Sequence, residues 1–418
     1  MSKPHVLVVL ELGANLGHVL RLWPLAQSLM TMDWQVSFAV PDVAHARRFI
    51  CDTKVAIVET VKTARPPASN DQNIVPESYA QILQNHGFAD KDQLESNVAS
   101  WQNILQTIQP DVLLIEFCPV ALLAAHCLRK PAVHLAIGWE APIAQSFEGV
   151  RILPLMGAPT SHKIADAKVL QQALLAHINA CCTAHAAPQL ADLAALYTLH
   201  PLLLATWPEA DHFGPRQSGR YIGPLYAKHH GQRAQWPAQA GSGKPRVFIY
   251  LQRHACNVHI LKALNRIGAL VIAVLPDATI TNTQELADNG VQIYTDAVQL
   301  EPLLKMADLV INNASHGLTL ACLAVGCPVL GLPLTFEHQL SGVRLAKTGA
   351  VQLLLPKDIE IDARAQLRSV LENSAMKFAA LGFSAKYSAA QFQQGVSMVH
   401  QALSDSKLSN LSMLEPQL

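Results

Sequence analysis

Short, wholly apolar runs alternate with helical segments, and the pattern occurs twice in the chain. In the first half Val6–Leu10, Val36–Val40, Val112–Ile115, Ala132–Ile137 and Leu202–Ala205 read as buried strands. Leu20–Met32, Trp101–Ile108 and Ala121–Leu128 between them carry helical spacing, and Pro41-Asp42 marks a helix start at Val43. The pattern restarts with strands Val247–Leu251, Val271–Val274, Val291–Tyr294, Leu309–Ile311 and Val329–Leu332. Helices are expected at Val258–Ile267, Leu300–Met306 and Leu318–Val325. Strands that are apolar on both faces and joined through helices form a mostly parallel sheet covered on both sides. The spacing therefore predicts an α/β chain of two doubly wound, Rossmann-like domains. Ligands of such sheets sit beyond the carboxyl ends of the strands, where connections diverge, so a central cleft faced by both domains is the expected site.

Polar Tyr226–Lys244, with its clustered Gly, Pro and Ser, makes the linker. We expect a first domain over 1–225, a linker over 226–244 and a second domain over 245–385. A helix over 386–405 is expected to return to the first domain, followed by a frayed tail over 406–418. Ala165–Leu199 reads as helical, and roughly Thr60–Glu95 as loops and short helices.

A length of 418 residues exceeds one ordinary core, and only 15% of them are charged, as in a well-buried enzyme. Lys+Arg and Asp+Glu both number 31, so no global field recruits nucleic acid or an acidic membrane. Local patches leave room for peripheral membrane contact. No apolar run reaches the ~18 residues of a spanning helix, and Val6–Leu10 is too short for the apolar core of a signal peptide. Cys118, Cys127, Cys322 and Cys327 lie inside apolar segments without framework spacing, which points to a reducing cytoplasm.

The most informative segment is ADLVINNASHGLTLACLAVGCPVLGLPLTFEHQ. A buried strand enters a loop of small and polar residues, Asn312 to Gly317, which feeds straight into a helix. A helix start offers unpaired N–H groups and the positive end of the dipole, so it can hold a phosphate. Ser315, His316 and Thr319 add side-chain donors, and Gly326-Cys327-Pro328 punctuates the helix end. Ser315 acting only as a helix cap is the plainer alternative.

This stretch resembles the donor signature of the UDP-glycosyltransferase superfamily, H-G-G-x-x-T-x-x-E-x-x-x-x-G-x-P followed by P-x-x-x-D/E-Q. The resemblance implies the GT-B fold and transfer from a nucleotide diphosphate sugar to a hydroxyl acceptor, with inversion. It makes Asn313, Ala314, Ser315, His316, Gly317 and Thr319 donor-binding, with Glu337, His338 and Gln339 near the sugar. Asn313 stands where the family has a phosphate-touching His, Ala314-Ser315 replaces Gly-Gly, and Ala321 replaces the Glu that holds the ribose. The family's Gly-Ser turn after the first strand of the second domain is here Gln252-Arg253, and Arg253 is the candidate cation for the diphosphate. These departures leave the nucleotide and the sugar open.

After the first strand comes LGANLGHVLRLW, in which Gly13 and Gly17 allow a tight turn and His18 opens a helix. It lacks the third glycine of a dinucleotide fingerprint. The resemblance makes His18 the base that deprotonates the acceptor, with Gly17 beside it among the donor contacts. An imidazole base needs a carboxylate to orient it and to meet its developing charge. Glu116, a charge ending an apolar strand, is the candidate, where the family commonly has Asp. Trp139 and Glu140 follow another strand end and are expected to touch the acceptor.

His177, Cys181 and His185 share one helix face and are read as packing, not as metal ligands. Apart from Asp90-Lys91-Asp92, in the stretch read as loops and short helices, no D-x-D triplet occurs, which fits a metal-independent transferase needing no cofactor beyond its nucleotide-sugar co-substrate. The mix of apolar and neutral residues in the expected acceptor regions, Thr60–Glu95 and Pro142–Ala195, favours a small or lipophilic acceptor. The alternative is a GT-B-shaped nucleotide-sugar-binding protein, without transfer chemistry, that serves a partner enzyme.

Overall fold

A computed structural model describes residues 3–12, 16–60, 76, 78–142, 145–147, 150–152, 159–225, 231–236, 243–252, 254, 256–276, 291–387 and 391–414. The chain folds into two compact units. The first comprises Met1–Pro208, Pro215–Leu225 and Phe392–Leu418, and the second Glu209–Gly214 and Tyr226–Gln391.

The first unit holds β1 (His5–Leu10), β2 (Gln35–Val40), β3 (Ala56–Glu59), β4 (Val112–Glu116), β5 (Ala132–Ala136), β6 (Gln145–Phe147), β7 (Val150–Ile152), β8 (Leu202–Leu204) and β9 (Arg220–Tyr221). All but β6 and β7 form one sheet in the order β3-β2-β1-β4-β5-β8-β9, every pair parallel. β6 and β7 pair antiparallel by themselves. Val6, Val8, Val112, Leu114, Val133 and Leu135 sit in one buried cluster with Leu22, Leu25 and Leu29 of the helix Leu16–Thr31. The last helix, Gln391–Leu414, adds Val396, Val399 and Leu403 to the same core.

The second unit holds β10 (Arg246–Tyr250), β11 (Leu270–Val274), β12 (Val291–Tyr294), β13 (Leu309–Asn312), β14 (Val329–Gly331) and β15 (Val351–Leu353). They form a wholly parallel sheet in the order β12-β11-β10-β13-β14-β15. Helix Cys256–Ile267 buries Ile260, Leu261 and Leu264 against it.

In both sheets the chain builds outward from the first strand in one direction and then turns to the other side. The reversal falls between β1 and β4 in one sheet, and between β10 and β13 in the other. In open parallel sheets such a reversal point, beyond the carboxyl ends of the strands, is where ligands sit.

Two expectations need correction. The helix expected through Leu199 stops at Ala184, because Ala186 takes a left-handed φ of 51° and Pro188 follows; a 3₁₀ turn then covers Leu193–Thr198. The tail expected to fray after Ser404 instead continues the last helix to Leu414, pinned where Lys407 Nζ meets Asp111 at 3.2 Å. Among the described residues no helix is long and apolar enough to cross a membrane.

Candidate functional site

At the reversal point of the first sheet, register pairs Leu10 with Glu116, and Glu116 with Leu135, so the loops after β1, β4 and β5 start side by side. Glu116 is fully buried and its two carboxylate oxygens lie 2.9 and 3.0 Å from His18 Nδ1. An ionised carboxylate has no proton to give, so Nδ1 donates and the basic lone pair falls on Nε2. Arg21, one turn along the same helix, bonds Glu116 as well and lies 3.4 Å from Glu140 Oε1. Glu140 is itself buried and accepts from the N–H of Ile137 at 2.6 Å. Two carboxylates thus share one guanidinium, and the cluster becomes neutral when the His18 ring takes a second proton. Oriented N–H, surplus negative charge and partial exposure are what a general base requires.

The neighbouring backbone is strained. Phe117 has a φ of 42°, a left-handed value that a bulky residue seldom adopts. Its ring stacks on His18, with centroids 6.0 Å apart and planes 16° apart. Beneath this lies Glu11, whose carboxyl accepts from the Cys118 thiol at 2.8 Å and is pushed up to about 7 by burial. The set His18, Glu116 and Glu140 brings three ligand atoms within 4.8 Å of one another, but Arg21 already bonds both carboxylates.

At the reversal point of the second sheet, Ser315 stands at the N-cap of helix His316–Ala324 with no side-chain cap bond of its own. Gly317 is exposed, and a Cβ added there would meet no described atom within 4 Å; the same holds at Gly17. Ala314 has a φ of 56°, the conformation that the glycine of the family signature would adopt without cost. Its methyl lies against Gly331 and Gly342, where an added Cβ would come within 3.0 and 3.2 Å of it.

Several expected donor contacts prove to be buried and internally bonded. Asn313 accepts from Gln252 N–H at 2.8 Å and donates to Leu332 O at 3.0 Å, tying three strand ends together. Thr319 is fully buried and bonds the side chain of Asn312, at 3.2 Å for the amide donor. His338 is buried, and that burial lowers its pKa against the opposing charge of Glu337. Gln339 is exposed on the helix Phe336–Ala346, and Glu337 is half-buried. Trp139 packs partly against the first core. Arg253 and Gly13 lie outside the described residues.

Two residues join these clusters without having been expected there. Arg21 carries no pattern beyond helical spacing from His18. His212 reaches the start of helix His316–Ala324 from a segment remote in sequence: its Nε2 is 2.7 Å from Glu337 Oε1, and its ring stacks on His316. No motif or periodicity in the sequence pointed toward it.

No family model and no curated protein matches the chain. Solved structures do. The glycotransferase of kitacinnamycin aligns at 16% identity over 96% of this chain and 99% of that one, with a TM-score of 0.65. The spinosyn rhamnosyltransferase SpnG complexed with thymidine diphosphate aligns at 18% over 95% and 99%, with a TM-score of 0.65. The calicheamicin glycosyltransferase CalG4 aligns at 14% over the full length of both, with a TM-score of 0.66. End-to-end likeness at such low identity speaks to architecture, and by that architecture the chain has the GT-B fold.

Proposed function

We propose that the protein is an inverting glycosyltransferase that moves a sugar from a nucleotide diphosphate sugar to a hydroxyl acceptor. The observation that carries this reading is the His18–Glu116 pair at the reversal point of the first sheet. His18 Nε2 takes the acceptor proton, and Glu116 meets the imidazolium that forms. A single displacement by that hydroxyl inverts the anomeric centre. The diphosphate docks on the second unit, on the N–H groups at the start of helix His316–Ala324, with Ser315 and His316 adding donors. Glu337 and Gln339 contact the sugar. Metal independence is supported by Arg21, the internal cation that already balances Glu116 and Glu140.

Thymidine diphosphate is a reasonable first nucleotide to test, because SpnG was solved with it. SpnG was also solved with the spinosyn aglycone, which supports a small-molecule acceptor here. Cytoplasmic location and any peripheral membrane contact belong to the same proposal. A second reading, a nucleotide-sugar-binding auxiliary protein without turnover, draws on Asn313, whose amide is engaged by backbone where the family has a phosphate-binding His.

Calorimetry with dTDP, UDP and their sugars tests donor docking. A Ser315→Ala/His316→Ala double variant should lose nucleotide binding, and because His316 is buried, a circular-dichroism check must show that the variant remains folded. Unchanged affinity in that variant would place the nucleotide elsewhere.

A further inference from the structure

His212 is fully buried within the second unit, and a buried imidazole needs a reason. Its Nε2 is 2.7 Å from Glu337 Oε1, the geometry of a charge-assisted bond. Its ring lies on that of His316, with centroids 5.1 Å apart and planes 21° apart. The short segment carrying it is held firmly. Arg344 Nε donates to His212 O at 3.4 Å, and the Arg344 guanidinium occupies the space where a Cβ on Gly214 would fall, 2.7 Å away. Gly214 has a φ of 93°, so any side chain there would be strained and would push the guanidinium aside. Asp211 turns back to the N–H of Phe213 at 3.0 Å. On the other side of Glu337, His338 Nε2 lies 3.7 Å from Oε2.

His316 is the first residue of its helix, so its ring stands beside the N–H groups proposed to hold the diphosphate. A helix start offers only about half an elementary charge, which leaves most of a nucleoside diphosphate's charge unmet. We infer that nucleotide binding at this site is coupled to proton uptake through a His316–His212–Glu337 relay, in which His212 is a positioning residue. Glu337 offsets the charge of a proton on His212, and the second proton is taken from the buffer by the His316 ring, where the diphosphate meets its charge. With no anion present, two charged rings at that spacing repel each other, so the second proton enters only with the diphosphate. His338 stays neutral because burial lowers its pKa, and Arg344 is fixed by backbone.

The inference rests on the donor-site reading above. Titrating dTDP and UDP calorimetrically into the full chain at about pH 8, in two buffers of different ionisation enthalpy, separates the two, because imidazoles are then largely neutral. The expected result is net proton uptake, with affinity falling by up to about tenfold per pH unit as pH rises above neutrality. His212→Gln and Glu337→Gln should each bind more weakly and take up fewer protons. Glu337→Gln, at a half-buried position, decides the matter if His212→Gln does not fold. Binding without proton uptake, or uptake unchanged in both variants, overturns the relay and leaves the donor site standing. Failure of both dTDP and UDP to bind the wild-type protein overturns both.

Discussion

A histidine acquires basicity from its surroundings, and those of His18 were only half legible. Glu116 stood out because a charge that ends an apolar strand needs a partner, and His18 is one. Arg21 did not, because an arginine on an amphipathic helix is ordinarily a solvated one. Its burial follows from two carboxylates, one ending β4 and one in the loop after β5, and no local pattern encodes that. Arg21→Met should leave Glu116 and Glu140 buried with uncompensated charge and cost about 3–5 kcal/mol, read as a lower midpoint in chemical denaturation. Glu11 offers a test by pH. Its folded pKa, about 7, lies above the ordinary 4.5, so the folded state binds the extra proton. Its contribution to stability is therefore present at low pH and is lost as pH rises through that window. Relative to wild type, Glu11→Gln should gain melting temperature between about pH 4.5 and about pH 7. A constant difference across the range would show that Glu11 does not titrate there.

At the scale of elements, the strands buried on both faces were the most legible. β1, β2 and β4 were expected within a residue of their observed bounds, because inner parallel strands are continuous apolar runs. The half-buried edge strand Val291–Tyr294 was expected with its observed bounds, its Val, Ile and Tyr being residues that favour strands. β3, β9 and β15 were missed: they are two to four residues long, and mixed polar residues blur them. The donor loop shows what motif reading can and cannot supply. The loop-to-helix form was visible, but the inward role of Asn313 and Thr319 depends on which strand ends adjoin, and that is a property of the sheet order. Ala314 is held in its left-handed turn at a cost of about 1–2 kcal/mol, against two glycines whose lack of side chains makes room for it. Gly331→Ala would bring a methyl within 3.0 Å of the Ala314 Cβ and 2.7 Å of Leu353 Cδ2. We expect a loss of about 1–3 kcal/mol from overpacking together with weaker dTDP binding by calorimetry. Stability lost with binding intact would separate Ala314 from the nucleotide.

At the scale of the whole molecule, two rounds of strand and helix were enough to predict two doubly wound sheets. The full-length match to CalG4 and SpnG supports that architecture. His212 was the harder case, because it lies on the short stretch Glu209–Gly214 that joins the second unit while its neighbours on both sides belong to the first. Such a crossing has no signature in composition or periodicity. The proposed reaction draws on residues of both units, so its test is turnover itself. The purified chain should be incubated with a panel of nucleotide sugars and small hydroxyl acceptors while release of nucleoside diphosphate is followed, beside a His18→Asn variant. The account predicts acceptor-dependent release that falls by about 10²–10⁴ in the variant, with dTDP affinity unchanged. Acceptor-dependent release that is indifferent to His18, or nucleotide binding with no release from any donor, would contradict it.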